Sequence, residues 1–349
     1  MPELQGQTSI NDFIAPTTAT IPMDVREPSD QEIEAFFASE SVGDAGEDDP
    51  DRIMPSTLGD AVLVGHFEDG SPEWHEARFK GIGGSEIASI LGINNFKSRY
   101  VLWMEKAGII PRNEDHNPLF EWGHRLEPVL IEKFAENHPE YEVLPGGSWR
   151  NKDRPHQLAN PDGRLINKET GEFEILEVKT SMTGMGWGLG PNDIPAKYVA
   201  QVRWYLDTFG WTSAHIIVLI GLGDYREYRI YADPAKTIEM RDAAAGFAYS
   251  LQTQTAPPID GGEDTYQFLR ERNPSIVAKG EGSKVELSED IMELVGNAKV
   301  QLAHWESEML RAKGHLLAHM GTAKTAEFEG KVVAARQAKG DGVPFVVLK

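Results

Sequence analysis

Acidic and basic side chains lie close together between Asn160 and Lys179, with a spacing that suits phosphodiester chemistry. The segment begins Asn-Pro-Asp-Gly and ends Leu-Glu-Val-Lys. Apolar runs on both sides of a polar, glycine-containing turn at 167–171 predict a β-hairpin, and Asp162 stands where its first strand begins. Glu177 and Lys179 are two residues apart on the second strand, so their side chains leave the same face of the sheet.

This arrangement predicts a site for a divalent metal. Two carboxylates that lie close together repel each other unless a cation stands between them. Oxygen ligands in a partly hydrated site suit Mg²⁺ or Mn²⁺, and the backbone carbonyl of Val178 offers a third ligand beside Asp162 and Glu177. The ammonium group of Lys179 is then placed to orient a water molecule and to stabilise a pentavalent phosphate. These residues predict a metal-dependent phosphodiesterase.

A purely structural explanation of the same residues stays open. Glu-x-Lys is a weak signal in a charged chain, and a second copy, Glu329-Gly330-Lys331, fits a surface turn. Asp-Gly at the edge of a strand is usually no more than a turn. Support for the phosphodiesterase must therefore come from the flanking segments.

A glycine-rich corner precedes the hairpin. Glycines between Gly81 and Gly84 separate a helix over 74–79 from one over 86–91, and Ser85 is predicted to cap the second helix. Amides at a helix N-terminus beside Arg78 make an anion site. A simple helix–turn–helix corner explains the same pattern, and the corner by itself favours that explanation.

The predicted helix over 118–137 carries a carboxylate on its apolar stripe. Glu127 falls at the three- and four-residue spacing of the apolar side chains. A carboxylate that faces a core needs a partner, and a metal shared with Asp162 would supply one. The alternative is a surface interaction of Glu127 with Arg125 or His124.

Composition restricts the classes of site. The chain has 349 residues, of which 40% are hydrophobic and 26% charged, as in ordinary globular proteins. It has no cysteine, which excludes disulfides, zinc–thiolate sites and cysteine-ligated iron–sulfur clusters. The net charge of −21 is unusual for a DNA enzyme, but 14 acidic and two basic residues within 1–60 account for −12 of it. The lack of a signal sequence and of an apolar run of about 20 residues predicts no membrane segment and a cytoplasmic location.

Four regions are predicted along the chain. An acidic, mostly disordered tail spans 1–56, a core domain 57–254, a linker 255–284 and a C-terminal extension 285–349. The extension is predicted to contain one long helix followed by a hairpin. The helix carries an apolar heptad stripe, made up of Ile291, Val295, Ala298, Leu302, Trp305, Met309, Ala312 and Leu316. Core packing or a subunit contact explains this stripe better than a ligand site.

The acidic tail contains a short peptide that has the spacing of a sliding-clamp-binding motif. It runs from Gln7 to Ile14, with a glutamine, then an aliphatic residue, then an aromatic pair in which Ile14 replaces the second aromatic. The peptide predicts a sliding clamp as a partner. The alternative is a tail segment without a partner, or a strand that docks on the core.

Taken in order, five blocks of the chain resemble the YqaJ-like viral recombinase family, relatives of phage lambda-type exonuclease within the PD-(D/E)xK nuclease superfamily. The blocks are Arg78 with Gly83-Gly84-Ser85-Glu86-Ile87, Trp122-Gly123 with Leu126-Glu127-Pro128, Asn160-Pro161-Asp162-Gly163, Glu177-Val178-Lys179-Thr180-Ser181, and Ile194-Pro195 with Tyr198 and Gln201-Val202. Each block is weak by itself, but five in this order make chance an unsatisfactory explanation. The resemblance covers the chain from Trp74 to Leu251.

The resemblance implies a role for each of these residues. Mg²⁺ is bound by Asp162, Glu177 and the Val178 carbonyl, with Glu127 as a helix carboxylate near the metal. Lys179 activates water, and Gln201 orders the edge of the site. By the same resemblance, Arg78 and Ser85 form a pocket for a 5′-phosphate.

The expected fold is α/β, a restriction-endonuclease-like core with a mixed central sheet flanked by helices. The expected function is Mg²⁺-dependent 5′-to-3′ exonuclease activity on one strand of linear double-stranded DNA, in a phage- or prophage-type recombination system. Family members act with a single-strand annealing protein, and some form a ring-shaped trimer. The alternatives are a structure-specific or restriction-type endonuclease of the same superfamily, and a DNA- or partner-binding protein with an inactive core.

Overall fold

The computed structural model describes residues 57–67, 70–94, 96–111, 118–276, 279 and 284–349. The predicted acidic tail and the predicted clamp-binding peptide from Gln7 to Ile14 lie outside these residues. The chain divides into two compact units after Arg272.

The first unit contains nine strands and seven helices within the described residues. The strands are β1 (Thr57–Leu58), β2 (Ala61–Gly65), β3 (Tyr141–Pro145), β4 (Ser148–Asn151), β5 (Leu158–Ala159), β6 (Gly163–Asn167), β7 (Phe173–Ser181), β8 (Ser213–Ile220) and β9 (Asp224–Tyr231). The helices are α1 (Pro72–Phe79), α2 (Gly84–Ile90), α3 (Arg99–Lys106), α4 (Pro118–Asn137), α5 (Ala196–Phe209), α6 (Pro234–Gln252) and α7 (Glu263–Arg272).

A mixed five-stranded sheet forms the centre of this unit, in the order β3-β6-β7-β8-β9. The pair β7–β8 is parallel, and the other pairs are antiparallel. Helix α4 packs on one face, where Phe134 and Leu176 share a buried cluster, and α5 packs on the other, where Trp204 and Ile175 do. The prediction of an α/β fold with a mixed sheet flanked by helices is confirmed.

The predicted hairpin is formed by β6 and β7. Gly163 pairs with Leu176 at the start of β6, and Ile166 pairs with Phe173 next to the turn. The Asn167 side chain accepts hydrogen bonds from the amides of Glu169 and Thr170, which closes the turn. The hairpin therefore has the position that the sequence predicts.

From the sequence, the segment 141–149 is predicted to be one strand that precedes the hairpin, and this prediction is wrong. The segment is two strands in different sheets, since β3 belongs to the five-stranded sheet and β4 to a four-stranded sheet of order β1-β2-β4-β5. The chain changes direction at Gly147, whose φ of 77° lies in the left-handed region that glycine adopts without strain. The sequence Pro145-Gly146-Gly147 is a turn signal that could have located this break.

The segment 255–284, predicted as a linker, contains the helix α7. Thr265 is fully buried, its hydroxyl donates a hydrogen bond to Asp260 Oδ1 (2.6 Å), and its Oγ1 lies 2.7 Å from Ser98 Oγ. The Asp264 carboxylate accepts a bond from the Ser98 amide at 2.7 Å. These contacts fix α7 to the beginning of α3. The sequence of α7 is mostly polar and does not predict these contacts.

The second unit consists of α8 (Glu289–Met320), β10 (Thr325–Phe328), β11 (Lys331–Gln337) and β12 (Phe345–Leu348). The strands form one antiparallel sheet in the order β10-β11-β12, and Met320 at the end of α8 packs on it. The predicted long helix and terminal hairpin are confirmed, with β10 as an additional strand. Among the helices that the structure describes, none combines the length and the apolar character needed to cross a membrane.

His138 connects the end of α4 to β9. Its Nδ1 lies 2.9 Å from Glu140 Oε1, and its Nε2 lies 2.6 Å from Glu227 Oε2. Burial lowers the pKa of His138, but the hydrogen bonds with Glu227 and Glu140 outweigh burial and raise the pKa above its ordinary value.

The contribution of His138 to stability should therefore depend on pH. A histidine whose pKa is raised by folding stabilises the protein below the pKa of the unfolded chain, and this contribution is lost as pH rises through the folded pKa. We expect His138→Gln to lower Tm by about 2–4 °C at pH 6, equivalent to about 1 kcal/mol for a partly exposed pair, and by less at pH 9. Thermal unfolding at both pH values measures this. An equal loss at both would assign the effect to the stacking of His138 on Phe134.

Candidate active site

One cleft of about 1200 Å³ in the first unit is lined by every residue that the sequence predicts for the site. These residues are Arg78, Ser85, Glu127, Asp162, Glu177, Val178, Lys179 and Gln201. They come from α1, α2, α4, α5, β7 and the loop before β6. The tertiary fold thus brings together residues that the sequence spreads over more than a hundred positions.

The hairpin places Asp162 next to Glu177. Because Gly163 pairs with Leu176, the residue before β6 comes opposite the residue after Leu176. The Asp162 carboxylate accepts a hydrogen bond from the Val178 amide at 2.6 Å, which fixes it at the end of the strand pair. The two carboxylates are close enough for the charge of Asp162 to raise the pKa of Glu177.

Glu177 is the centre of a hydrogen-bond network on the face of β7 that meets α5. The residue is 1% exposed. Its Oε1 accepts hydrogen bonds from Lys179 Nζ at 2.5 Å and from Gln201 Nε2 at 2.6 Å. Gln201 Nε2 also lies 3.1 Å from the hydroxyl of Tyr205, one helical turn further along α5. Val178 points the opposite way, into the cluster beneath α4, as the alternation of a strand requires.

The electrostatics of the network favour a protonated lysine and disfavour a charged glutamate. Burial raises the pKa of Glu177 to about 8, and the charge of Asp162 adds to this rise while Lys179 opposes it. Burial lowers the pKa of Lys179, but the charges of Glu177 and Asp162 outweigh burial and hold it above its ordinary value. Lys179 is therefore an ammonium ion at neutral pH.

The donor set fits a divalent cation. Glu177 Oε2 is buried and has no hydrogen-bond partner. A buried polar atom without a partner destabilises the folded protein unless a ligand binds to it. A cation between Glu177 and Asp162 would remove the repulsion that raises the pKa of Glu177. Glu127 lines the same cleft, and its charge also raises the pKa of Glu177. Within the described part of the chain, no three His, Asp or Glu side chains form a metal cluster by themselves, so the set also needs the Val178 carbonyl and water.

The glycine corner is capped differently from the prediction. Helix α2 begins at Gly84, and Glu86 Oε2 accepts the amide of the N-cap residue Gly83 at 2.9 Å. The prediction that Ser85 caps this helix is wrong, because a glutamate at the third helical position reaches back to the cap amide. Ser85 Oγ instead accepts a hydrogen bond from Arg78 Nη2 at 3.1 Å. The two residues predicted to form a phosphate pocket are thus in direct contact.

Lys106 supports this corner and was missed by the sequence analysis. Its Nζ lies 3.0 Å from Glu86 Oε1, and it donates to the carbonyls of Gly81 (2.6 Å) and Arg78 (3.1 Å). The Arg78 guanidinium in turn lies 4.3 Å from the ring centroid of Trp74. A lysine in the last turn of a helix is ordinary, so no local signal identifies these partners 20 or more residues away.

Gly84 sets the separation of α2 and α5. A Cβ atom here would lie 2.6 Å from a ring carbon of Tyr205 and 2.8 Å from Cγ of Gln201. We expect Gly84→Ala to lower the free energy of unfolding by about 1–3 kcal/mol, as overpacked sites do. Gly83→Ala is the matched control, since its nearest contact would be 3.9 Å away. Urea unfolding compares the two, and equal losses would argue against this tight helix contact.

A comparison with known families agrees with the geometry of the cleft. Residues 73–212 match the sequence model of the YqaJ-like viral recombinase domain. The matched part of the chain is therefore similar to a YqaJ-like viral recombinase domain. The resemblance inferred from the five sequence blocks is confirmed. The YqaJ-like domain contains all the predicted site residues, from Arg78 to Gln201.

Relatives of the YqaJ-like chain include the YqaJ protein of Bacillus subtilis (strain 168), which is 28% identical over 235 residues, or 60% of this chain and 66% of that protein. A protein of African swine fever virus (isolate Tick/Malawi/Lil 20-1/1983) is 41% identical over 69 residues, or 19% of this chain and 20% of that protein. The chain thus spans just under two thirds of the first relative and about a fifth of the second.

Among solved structures, an alkaline exonuclease from Laribacter hongkongensis is similar to this chain with a TM-score of 0.43 and 17% identity. The similarity covers 58% of this chain and 99% of that one.

Proposed function

We propose that the protein is a Mg²⁺-dependent exonuclease that degrades one strand of linear double-stranded DNA from its 5′ end. The exposed 3′ strands would then serve annealing-type recombination. The observation that supports this most is the buried Glu177, whose unpartnered Oε2 lies in the same cleft as Asp162 and Lys179. The cleft lies within a domain of a viral recombinase family.

Asp162, Glu177 and the Val178 carbonyl are the residues that would hold the metal, with Glu127 close by. When bound, Mg²⁺ (or Mn²⁺) supplies Lewis-acid polarisation of the scissile phosphate and a lowered pKa of a water molecule. The short bond between the Val178 amide and the Asp162 carboxylate keeps one ligand in place. Gln201 holds Glu177 Oε1 from the side opposite the strand, so the second ligand is also oriented before substrate arrives.

Lys179 acts as a charged donor rather than as a proton acceptor. Its pKa lies above the ordinary value, so Nζ keeps its proton. From its position beside Glu177, Nζ orients the attacking water and donates to a phosphate oxygen as negative charge develops there. Tyr198, whose ring centroid lies 5.3 Å from Nζ, limits the directions that the ammonium can take.

Arg78 and Ser85 form the pocket for the terminal 5′-phosphate. A guanidinium offers two parallel donors to a phosphate, and the Ser85 hydroxyl adds a third. The hydrogen bond between Arg78 Nη2 and Ser85 Oγ keeps both side chains in position to bind a phosphate before DNA arrives. A phosphate bound there would fix which phosphodiester meets Lys179, and this would restrict attack to DNA ends.

Three duplex substrates test the proposal with purified protein and Mg²⁺: a linear duplex with 5′-phosphates, the same duplex with 5′-hydroxyls, and a closed circle. We expect fast degradation of the first, slower degradation of the second and none of the circle. Arg78→Gln should remove the preference for the 5′-phosphate and leave the rate on the 5′-hydroxyl duplex nearly unchanged. Cutting of the closed circle would support the alternative of a structure-specific or restriction-type endonuclease, and no turnover of any substrate would support a binding protein.

A further inference from the structure

The heptad stripe of α8 is left uncovered by its own unit. Trp305 and Leu302, in the middle of the stripe, are 65% and 60% exposed. Also exposed are Ile291, Val295 and Met309. Within the described residues of this unit, only the end of the stripe is packed: Leu316 lies beside Met320 on the sheet β10–β12. More than three helical turns of apolar surface are thus not covered by the described residues of this unit.

The repeat identifies the kind of partner. From Ile291 to Leu316 the stripe alternates strictly between steps of four and three residues. An α-helix has 3.6 residues per turn, so a 3.5-residue repeat stays on one line only if the helix supercoils around another helix. A helix that packs on a sheet needs no such repeat. The stripe therefore fits a helix with the same repeat.

We propose that α8 pairs with α8 of a second copy of the chain as an antiparallel two-helix coiled coil. In the register that places Leu302 opposite Trp305 of the second copy, each alanine of the stripe faces a larger side chain of the other helix. The resulting layers are Leu302 with Trp305, Ala298 with Met309, and Val295 with Ala312, each occurring twice by symmetry. Such alternation fills a helix interface evenly.

A parallel pair would pack unevenly. Each residue of the stripe would then meet its own copy, so Trp305 would face Trp305 while Ala298 and Ala312 would face alanines. Wide layers would alternate with narrow ones, which leaves cavities beside the alanines. The composition of the stripe thus favours the antiparallel direction.

Charge supports the same register. Lys299 and Glu306 follow the stripe residues Ala298 and Trp305 directly, so they flank the apolar seam on the same side. In the antiparallel register Lys299 faces Glu306 of the second copy, and symmetry produces this attractive pair twice. In a parallel pair Lys299 would instead lie opposite Leu294, and the attraction would be lost.

The surface is large enough for a stable dimer. Helix α8 has 32 residues and so spans about 48 Å. The two Trp305 side chains alone would bury roughly 300–500 Å², against a standard interface of about 1,600 Å². The remaining layers supply the rest.

Charge reversal tests the proposal on the full chain by light scattering coupled to size exclusion. Wild type should have the mass of two chains, and Lys299→Glu or Glu306→Lys should weaken the dimer roughly tenfold or more by placing like charges together. The double variant Lys299→Glu/Glu306→Lys should restore it. Glu293→Lys, on the outer side of the same helix, is the matched control and should change nothing. A monomer or a trimer for wild type, or no rescue in the double variant, would overturn the proposal.

Disulfide trapping tests the direction of the helices, since the chain has no native cysteine. A mixture of Val295→Cys and Ala312→Cys proteins should form a mixed disulfide on mild oxidation, because these positions share a layer in the antiparallel register. Each protein alone should remain largely unlinked. Rapid linking of Val295→Cys to itself would indicate a parallel pair and contradict the proposed register.

Discussion

Lys179→Ala should lower the rate of degradation of linear duplex DNA by roughly 10²–10³, the usual cost of removing one preorganised electrostatic donor. Nζ is held 2.5 Å from Glu177 and keeps its proton, so its role is to place positive charge and to orient water. DNA affinity should change little, because most binding comes from contacts along the phosphate backbone. Single-turnover rates and equilibrium binding of end-labelled duplex separate the two effects.

The second Glu-x-Lys copy provides the control for this variant. Lys331 is exposed on the terminal sheet, at the same spacing from Glu329 as Lys179 from Glu177. Lys331→Ala should leave the rate at the wild-type level. Because Lys179→Ala removes the partner of a buried carboxylate, Lys179→Gln and a thermal unfolding curve show whether the fold is intact. A near-wild-type rate in folded Lys179→Ala protein would remove this residue from the mechanism.

Glu177→Gln should abolish Mg²⁺-dependent hydrolysis while leaving the fold in place. A bound metal supplies several kcal/mol of transition-state stabilisation, and about 1.36 kcal/mol corresponds to a factor of ten, so we expect a loss of roughly 10³ or more. A second measurement does not depend on activity: Mg²⁺ should raise the Tm of wild type and of Glu329→Gln, the matched control, but not of Glu177→Gln. A Mg²⁺-induced rise in Tm that survives Glu177→Gln would mean that the ion binds elsewhere.

The pH dependence of stability without metal follows from the same residue. The folded pKa of Glu177 is about 8, above the ordinary value of 4.5, so the folded chain holds this proton more tightly than the unfolded chain. Its contribution to stability is therefore complete below the unfolded pKa and is lost as pH rises through the folded pKa. In EDTA, the Tm of wild type relative to that of Glu177→Gln should fall as the pH rises from 4.5 to 8. A difference that stays constant would contradict the assigned burial.

Elements with strong local signals could be predicted from the sequence. The bounds of α4 (Pro118–Asn137) are those predicted from its apolar periodicity, and α5 (Ala196–Phe209) ends where Gly210 takes a left-handed conformation with φ 70°. The hairpin follows from alternation on both sides of a turn. The pairing of Asp162 with Glu177 then follows from register alone, which is why the centre of the candidate site could be predicted.

Features that depend on distant partners could not be predicted. Lys106 supports the glycine corner through groups 20 to 28 residues away. The polar helix α7 is held by Ser98, more than 160 residues earlier in the chain. In each case the deciding energy is a tertiary contact, which leaves no periodic pattern in the sequence.

The direct test of the proposed active site is the position of a bound metal. Crystals soaked in Mn²⁺ and measured at a wavelength where manganese scatters anomalously should show a peak bounded by the carboxylates of Asp162 and Glu177 and the carbonyl of Val178, next to Lys179. Crystals of Glu177→Gln should lack it. A manganese peak at other residues only, or an Mn²⁺-saturated crystal with nothing between these two carboxylates, would contradict the account.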